Sequence, residues 1–345
     1  MGRRKRVEQI PELGVGIIGC GWVAEEYIKA FDNDPRTQVR SLTSRTPEKA
    51  EACQAKFELD CAVDMDVADM LERDDVDIVV VDTPHDLHTE FVVMAAEAEK
   101  HIVIEKPVAL TPEDVRLQQE AVHAAGVKTI VSFVLHWNPL LQTVDNLLQQ
   151  EAFGHVFMVE VDYFHRIWCG PDHWLGSRQR GGTSMLAAGC HAVDALRWFA
   201  RSEAIEVAAY QVKTENPLEY PGTVNAIVQF EDDKIGRTTS CFDARMPYRF
   251  NIGVYGTEGT LRNNELYAPK LFPGQMDFTE IPCVLPDSGD VSHHPFQGEV
   301  THFVDCIMDD TRPFPDLDDA AKTMAICFAV DRSAEEGRPV ALGEI

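Results

Sequence analysis

Glu105-Lys106-Pro107 follows directly on the apolar run His101-Ile102-Val103-Ile104. Lys106 thus stands at the carboxyl end of what reads as a parallel strand, where open α/β sheets bind their ligands. A partly desolvated amine there can exchange a proton with a substrate hydroxyl while hydride leaves the carbinol carbon. On this tripeptide alone, a surface lysine closing a strand is the plain alternative. The segment GGTSMLAAGCHAVD at 181–194 passes from a glycine pair into an apolar helical pattern. It sets His191 and Asp194 three residues apart on neighbouring turns, a spacing that permits contact. Such a histidine can orient or relay a hydroxyl proton, and it can equally be a satisfied residue of a packed helix.

A third segment, VGIIGCGWVA at 15–24, can hold a dinucleotide's pyrophosphate with almost no side-chain chemistry. Gly19 permits the tight turn after an apolar strand, Gly21 lets backbone approach phosphate, and Ala24 permits close helix packing. The amides that open the next helix, with Trp22 and Val23, then face the anion. The motif alone also fits an ordinary glycine turn, so its surroundings decide.

Those surroundings alternate. Strand-like runs at 15–18, 39–43, 61–63, 77–82, 101–105 and 127–133 are separated by amphipathic segments such as 47–57 and 87–99. This is the pattern of a parallel sheet covered on both faces. From residue 154 the period becomes two, at 155–165, 205–213, 223–230, 234–243, 248–255 and 260–267. Turn signals at Glu231-Asp232-Asp233 and Asn263-Asn264 imply a largely antiparallel, open sheet. Helical patterns at 296–309 and 317–337 complete the chain, the latter stopped by Gly337 and Pro339. The fold class is therefore α/β, with a dinucleotide-binding domain at 12–133 and an α+β domain at 134–345. The helix 317–337 is expected to pack back on the first domain.

A length of 345 residues favours two domains, and 45% hydrophobic content supplies ample core. A net charge of −26 argues against a nucleic-acid partner, which needs clustered Lys and Arg. No apolar run is long enough for a membrane span, and the opening MGRRKRVEQI lacks the apolar stretch of a secretory signal. A cytoplasmic location is the expectation. Nine cysteines without a C-x-x-C pair read as buried thiols, and no histidine spacing suggests a metal site.

Together with VDIVVVDTPHDLH at 76–88 and HPFQGEVTHFVDCI at 294–307, these segments make the chain resemble the glucose-fructose oxidoreductase, inositol dehydrogenase and MocA family over nearly its whole length. The resemblance implies a Rossmann domain followed by an open-faced sheet domain, with nicotinamide between them and a sugar or cyclitol beside it. Lys106 matches the catalytic lysine, His191 its assisting histidine and Asp194 an acidic partner. Thr83, Pro84 and His88 match the loop past the nicotinamide, and Glu105 belongs to the cofactor-side EKP motif. A homodimer or homotetramer through the open sheet face is implied, with strands such as 223–230 supplying apolar side chains to it.

Three departures stand out. Ala187 replaces the aspartate often found four residues before the histidine, so His191 needs Asp194 or another strand's residue as its partner. Thr183 breaks a glycine triplet, and His136 stands where arginine is often found.

Ser44-Arg45-Thr46 at the end of the second strand suits NADP better than NAD, since a guanidinium can bind a 2′-phosphate bidentately. Arg45 stacking on adenine in an NAD enzyme is the alternative. In the stretch at 163–180, Trp168 and Trp174 are candidates to stack on a sugar, and His165, Arg166 and His173 to bind hydroxyls, beside Lys106, His136 and His191. The expected activity is NAD(P)-dependent hydride transfer at a secondary alcohol of a sugar, cyclitol or related polyol. The alternatives are a glycosidase working through transient oxidation and elimination, and a non-catalytic dinucleotide- and sugar-sensing regulator.

Overall fold

The structure, a computed structural model, describes residues 12–287 and 294–345. The chain opens with β1 (Leu13–Ile18), α1 (Ala24–Asp32), β2 (Thr37–Thr43), α2 (Pro47–Lys56), β3 (Ala62–Asp64), α3 (Val67–Leu71), β4 (Ile78–Val81), α4 (His88–Glu97), β5 (His101–Ile104), α5 (Pro112–Ala125) and β6 (Thr129–Val131). The strands form one sheet in the order β3-β2-β1-β4-β5-β6, every neighbour parallel. β4 is wholly buried because helices cover both faces, which is why it reads as continuous aliphatic sequence.

The second half contains α6 (Pro139–Gln149), β7 (Val156–Phe164), α7 (Arg178–Gly181), a π-helical turn (Met185–Gly189), α8 (Cys190–Ala200), β8 (Ala204–Val212), β9 (Thr223–Phe230), β10 (Ile235–Cys241), β11 (Arg249–Gly256), β12 (Thr260–Arg262), β13 (Glu265–Tyr267), β14 (Thr279–Glu280), α9 (Phe296–Met308), α10 (Leu317–Glu336) and β15 (Val340–Ala341). Its sheet runs β14-β13-β12-β11-β7-β10-β9-β8-β15, antiparallel except where β7 and β10 pair in parallel. The run 260–267 is a hairpin broken at Asn263, whose φ of 54° turns the chain. At the Glu231-Asp232-Asp233 turn, Asp232 and Asp233 have φ of 59° and 58°, as a tight hairpin requires.

The open face differs from expectation. Val224, Ala226, Val228 and Phe230 of β9 are buried in the core, whereas Asn225, Ile227 and Gln229 are exposed. On the same uncovered side Tyr210, Val212, Ile227 and Ile235 are exposed beside Arg237, which bonds Glu160 at 3.0 Å and Asp162 at 2.9 Å, so this surface is mixed. The strand's apolar alternation belongs to the helix-covered side.

The two last helices divide their work. α10 lies along β8 and α8, and its start meets α5 and β6 of the first sheet, where Leu317 N donates to Thr129 Oγ1 and Asp318 Oδ1 accepts from Gln119. It is α9 that packs on α1, placing the edge of Phe296 5.0 Å from Tyr27 and donating from Gln297 to Ala30 O. Phe296, Val300, Phe303 and Val304 form the apolar stripe that seals this face with Ile17, Phe31 and Val80. Among the described residues no helix is long and apolar enough to cross a membrane.

Candidate active site

Gly19 has φ of +103°, and a Cβ there would fall 1.8 Å from the carbonyl oxygen of Asp82. Only glycine fits so tight an approach between β1 and β4. The turn opens on a cleft of about 600 Å³ lined by Gly21, Ser44, Arg45, Lys49, Thr83 and Pro84, with His173, Trp174 and Arg180 facing them from the second half of the chain. Val23 is the N-cap of α1, so the Trp22–Val23 stretch brings main-chain amides to this mouth, while the Trp22 side chain is 60% exposed. Asp82 Oδ2 and Thr83 Oγ1 are buried without a partner beside it. A glycine-lined mouth, a helix start and two unspent polar atoms fit a dinucleotide. Burial, reinforced by Glu105, pushes the Asp82 carboxyl well above the usual carboxylate range.

Lys106 leaves the end of β5 and its ammonium donates to Ala187 O at 3.3 Å, in the π-helical turn that precedes α8. Turns of this kind recur at functional sites. The position that lacks a carboxylate thus still receives the lysine, through its main-chain oxygen. His191 packs against the edge of Phe133 at 5.9 Å and is stacked on Tyr163 at 6.4 Å. Its Nδ1 is buried without a partner, and burial first, then the charge of Lys106, hold the imidazole well below its ordinary pKa and so neutral. Tyr163 Oη lies 3.2 Å from His165 Nδ1. Tyr248 stands edge-on to Tyr163 and His165, its Oη buried and unpartnered. One amine, two histidines and two phenols therefore gather where a polyhydroxylated molecule would find several hydrogen-bonding groups at once.

Other residues singled out above lie elsewhere. Asp194 does not reach His191: its Oδ2 accepts from His136 Nε2 at 2.7 Å and its Oδ1 from Thr323 at 3.3 Å. His136 is buried against Trp198, stacked at 4.2 Å, and is engaged by this pair, while its charge acts on His191. His88 is fully buried, with Nδ1 2.8 Å from Pro107 O and Nε2 3.0 Å from Thr83 O, so it braces the loop from behind. Glu105 turns inward to Tyr27 and to the amide of Lys106. Arg166 and Trp168 are exposed and pair with each other at 5.3 Å. His173 and Trp174 line the dinucleotide cleft, where His85 meets Trp174 at 4.6 Å and donates to Gly181 O at 2.9 Å. Thr183 is engaged by Asp331 at 2.7 Å. Among the described residues no three His, Cys, Asp or Glu side chains are placed to hold a metal ion.

Lys49, Asp82, Tyr163 and Tyr248 escaped sequence reasoning. Lys49 follows Arg45 by four residues, a helical spacing that would have offered it. Asp82 lies inside the 76–88 segment, and its inward aim has no sequence signal.

Residues 13–133 match the model of an oxidoreductase family with an NAD-binding Rossmann fold, GFO/IDH/MocA, and residues 141–262 match the GFO/IDH/MocA C-terminal domain. The chain is 37% identical over 264 residues to the dTDP-3,4-didehydro-2,6-dideoxy-alpha-D-glucose 3-reductase of Saccharopolyspora spinosa, covering 74% of this chain and 75% of that protein. It is 25% identical over 338 residues to the D-apiose dehydrogenase of Paraburkholderia graminis, covering 94% and 88%. The chain spans only 58% and 57% of the length of two further curated relatives. A solved levoglucosan dehydrogenase, in complex with NADH and L-sorbose, shares the fold with a TM-score of 0.86 at 20% identity, over 96% of this chain and 99% of that one.

Proposed function

The chain belongs to the GFO/IDH/MocA oxidoreductase family, and on that premise we propose that it moves a hydride between a secondary alcohol of a sugar, cyclitol or related polyol and NAD(P). The observation that carries the reading is the placement of Lys106. Its amine is held on Ala187 O, close enough that its charge adds to burial in lowering the pKa of His165 and of His191, and it also acts on Asp82 in the dinucleotide cleft. Bound nicotinamide supplies the hydride acceptor or donor. Once its ammonium has released a proton to solvent, Lys106 takes the hydroxyl proton as the carbinol is oxidised, and as an ammonium it returns that proton in the reverse direction. Neutral His191 offers a ring nitrogen to the same hydroxyl, and His165 with the Tyr163 and Tyr248 phenols orients the others.

NADP is the preferred dinucleotide in this reading. Ser44 replaces the usual acid after β2, and two exposed cations, Arg45 and Lys49, flank the cleft there. The two sheets divide the labour between a dinucleotide-binding part at 12–133 and a substrate-binding and oligomerising part at 134–345. The uncovered face of the second sheet pairs with a second copy of the chain through a mixed patch centred on Ile227 and the Arg237 ion pairs.

Replacing Lys106 by Met tests the assignment. Dinucleotide affinity should hold within about twofold, while turnover falls by about 10²–10⁴, the usual worth of a general acid–base group. Oxidation of any polyol at the parent rate would defeat it.

A further inference from the structure

Four buried polar side chains from four parts of the fold meet beneath Lys106. Glu105 follows β5, Tyr27 lies on α1, Ser132 follows β6 and Glu299 comes from α9, with exposures of 7%, 0%, 1% and 0%. Glu105 Oε2 accepts the main-chain N–H of Lys106 at 3.1 Å, and Oε1 accepts from Tyr27 Oη at 2.9 Å. Tyr27 is hydrogen-bonded to Ser132. Ser132 Oγ lies 2.8 Å from Glu299 Oε1, and Glu299 Oε2 is buried without a partner. The charged groups acting on Glu105 are Lys106 and the Asp82 carboxyl just after β4, whereas among the described residues the charged group acting on Glu299 is Glu105 itself.

Counting hydrogens fixes the chain's state. Glu299–Ser132, Ser132–Tyr27 and Tyr27–Glu105 are three links, and each needs one hydrogen between its oxygens. The two hydroxyls supply two. The third must be a carboxyl proton, and its place is Glu299. Glu105 as an anion has two donors and a nearby ammonium, while an ionised Glu299 would bury a charge with one oxygen bare. In accord with this, burial first and then Glu105 push Glu299 up to about 8.

We propose that Glu299 is a positioning residue for Lys106: held neutral, it starts a one-way hydrogen-bond chain through Ser132 and Tyr27 that keeps Glu105 ionised against the main-chain amide of Lys106. The protonation stands on the four side chains alone, and its catalytic consequence rests on the reading of Lys106 given above. A carboxyl whose pKa is raised on folding binds more protons in the folded state between its ordinary value and its folded one. The stability it contributes is therefore full below about pH 4.5 and is lost as pH rises towards about 8.

Infrared difference spectroscopy of the full chain, without added dinucleotide, tests the proton directly. In the wild-type minus Glu299→Gln difference, which cancels the bands of the other raised carboxyls Asp82 and Asp331, a protonated-carboxyl C=O band should be present at pH 6.5 and disappear with a midpoint near 8. Kinetics then tests positioning. Glu299→Ala should lower kcat by about tenfold with little change in KM, and Glu299→Gln, whose amide still donates to Ser132, should recover most of that loss while flattening the fall of kcat above pH 7. A wild-type minus Glu299→Gln difference without that band overturns the protonation. Alanine and glutamine variants with equal kcat and unaltered pH profiles overturn the positioning role. Failure of the lysine reading shows separately, as turnover surviving in Lys106→Met.

Discussion

His136 donates from Nε2 to Asp194 Oδ2 across 2.7 Å, inside a packet closed by Trp198 and Phe314. The bond takes up the carboxylate nearest His191 on its own helix. Without an anion to stabilise an imidazolium, His191 is depressed by burial and by Lys106, and works as a neutral ring.

Asp194→Ala should therefore behave as a structural lesion. It strands a buried histidine and Thr323, at a cost of about 1–3 kcal/mol for the unpaired groups. A lowered melting temperature with kcat/KM keeping its pH dependence is the expected outcome. A displaced acid limb in that profile would show that Asp194 does communicate with His191.

Asp82 sets a pH dependence for dinucleotide affinity. Its carboxyl is raised well above the ordinary carboxylate range by burial and by Glu105, so it is neutral on the acid side and gains a negative charge as pH rises. That charge would face the pyrophosphate across the glycine turn, so affinity should weaken with rising pH. Asp82→Asn should bind dinucleotide without that weakening, as read by fluorescence titration of both proteins across one pH series. Parallel slopes in the two proteins would exclude the carboxyl as the cause.

Arg45 and Lys49 should discriminate between dinucleotides. Charge-assisted bonds to a 2′-phosphate contribute about 1.5–3 kcal/mol each, so Arg45→Ala should weaken NADP by at least about tenfold and leave NAD nearly unchanged. Lys49→Ala should act in the same direction. Comparable losses for both dinucleotides would place Arg45 on adenine instead.

Light scattering should return at least twice the 38.6 kDa chain mass. Ile227→Asp, a charge on the uncovered sheet face, should shift the particle towards one chain, because a buried unpaired carboxylate is costly. A single-chain mass for the parent protein would remove the interface.

The local signals of this fold were strong where structure is local. Strand 223–230 was legible to the residue, and Gly337 with φ of 67° closes α10 as a helix-stopping glycine should. The glycine turn and the EKP lysine were equally plain, since each depends on backbone conformation and strand end. What remained hidden depends on partners distant in sequence. His136 and Asp194 are separated by 58 residues and Glu105 and Glu299 by still more, and no spacing rule links them. The acceptor for Lys106 was invisible for a different reason: it is a carbonyl, which every residue possesses, brought forward by a helical turn that side-chain periodicity does not report. The open face of β9 was legible only in part: Ile227 faces outward while Val224, Ala226, Val228 and Phe230 face the helices, and alternation tells that two faces differ without saying which one the helices cover.

The seal that α9 places over α1 has a consequence in time. A ribosome delivers Tyr27, Phe31 and Ile17 long before it delivers Phe296 and Phe303, so the nascent first sheet waits with a greasy flank bare until α9 emerges. A fragment cut at residue 262, where the second domain match ends, would inherit that bareness permanently and should precipitate rather than bind dinucleotide.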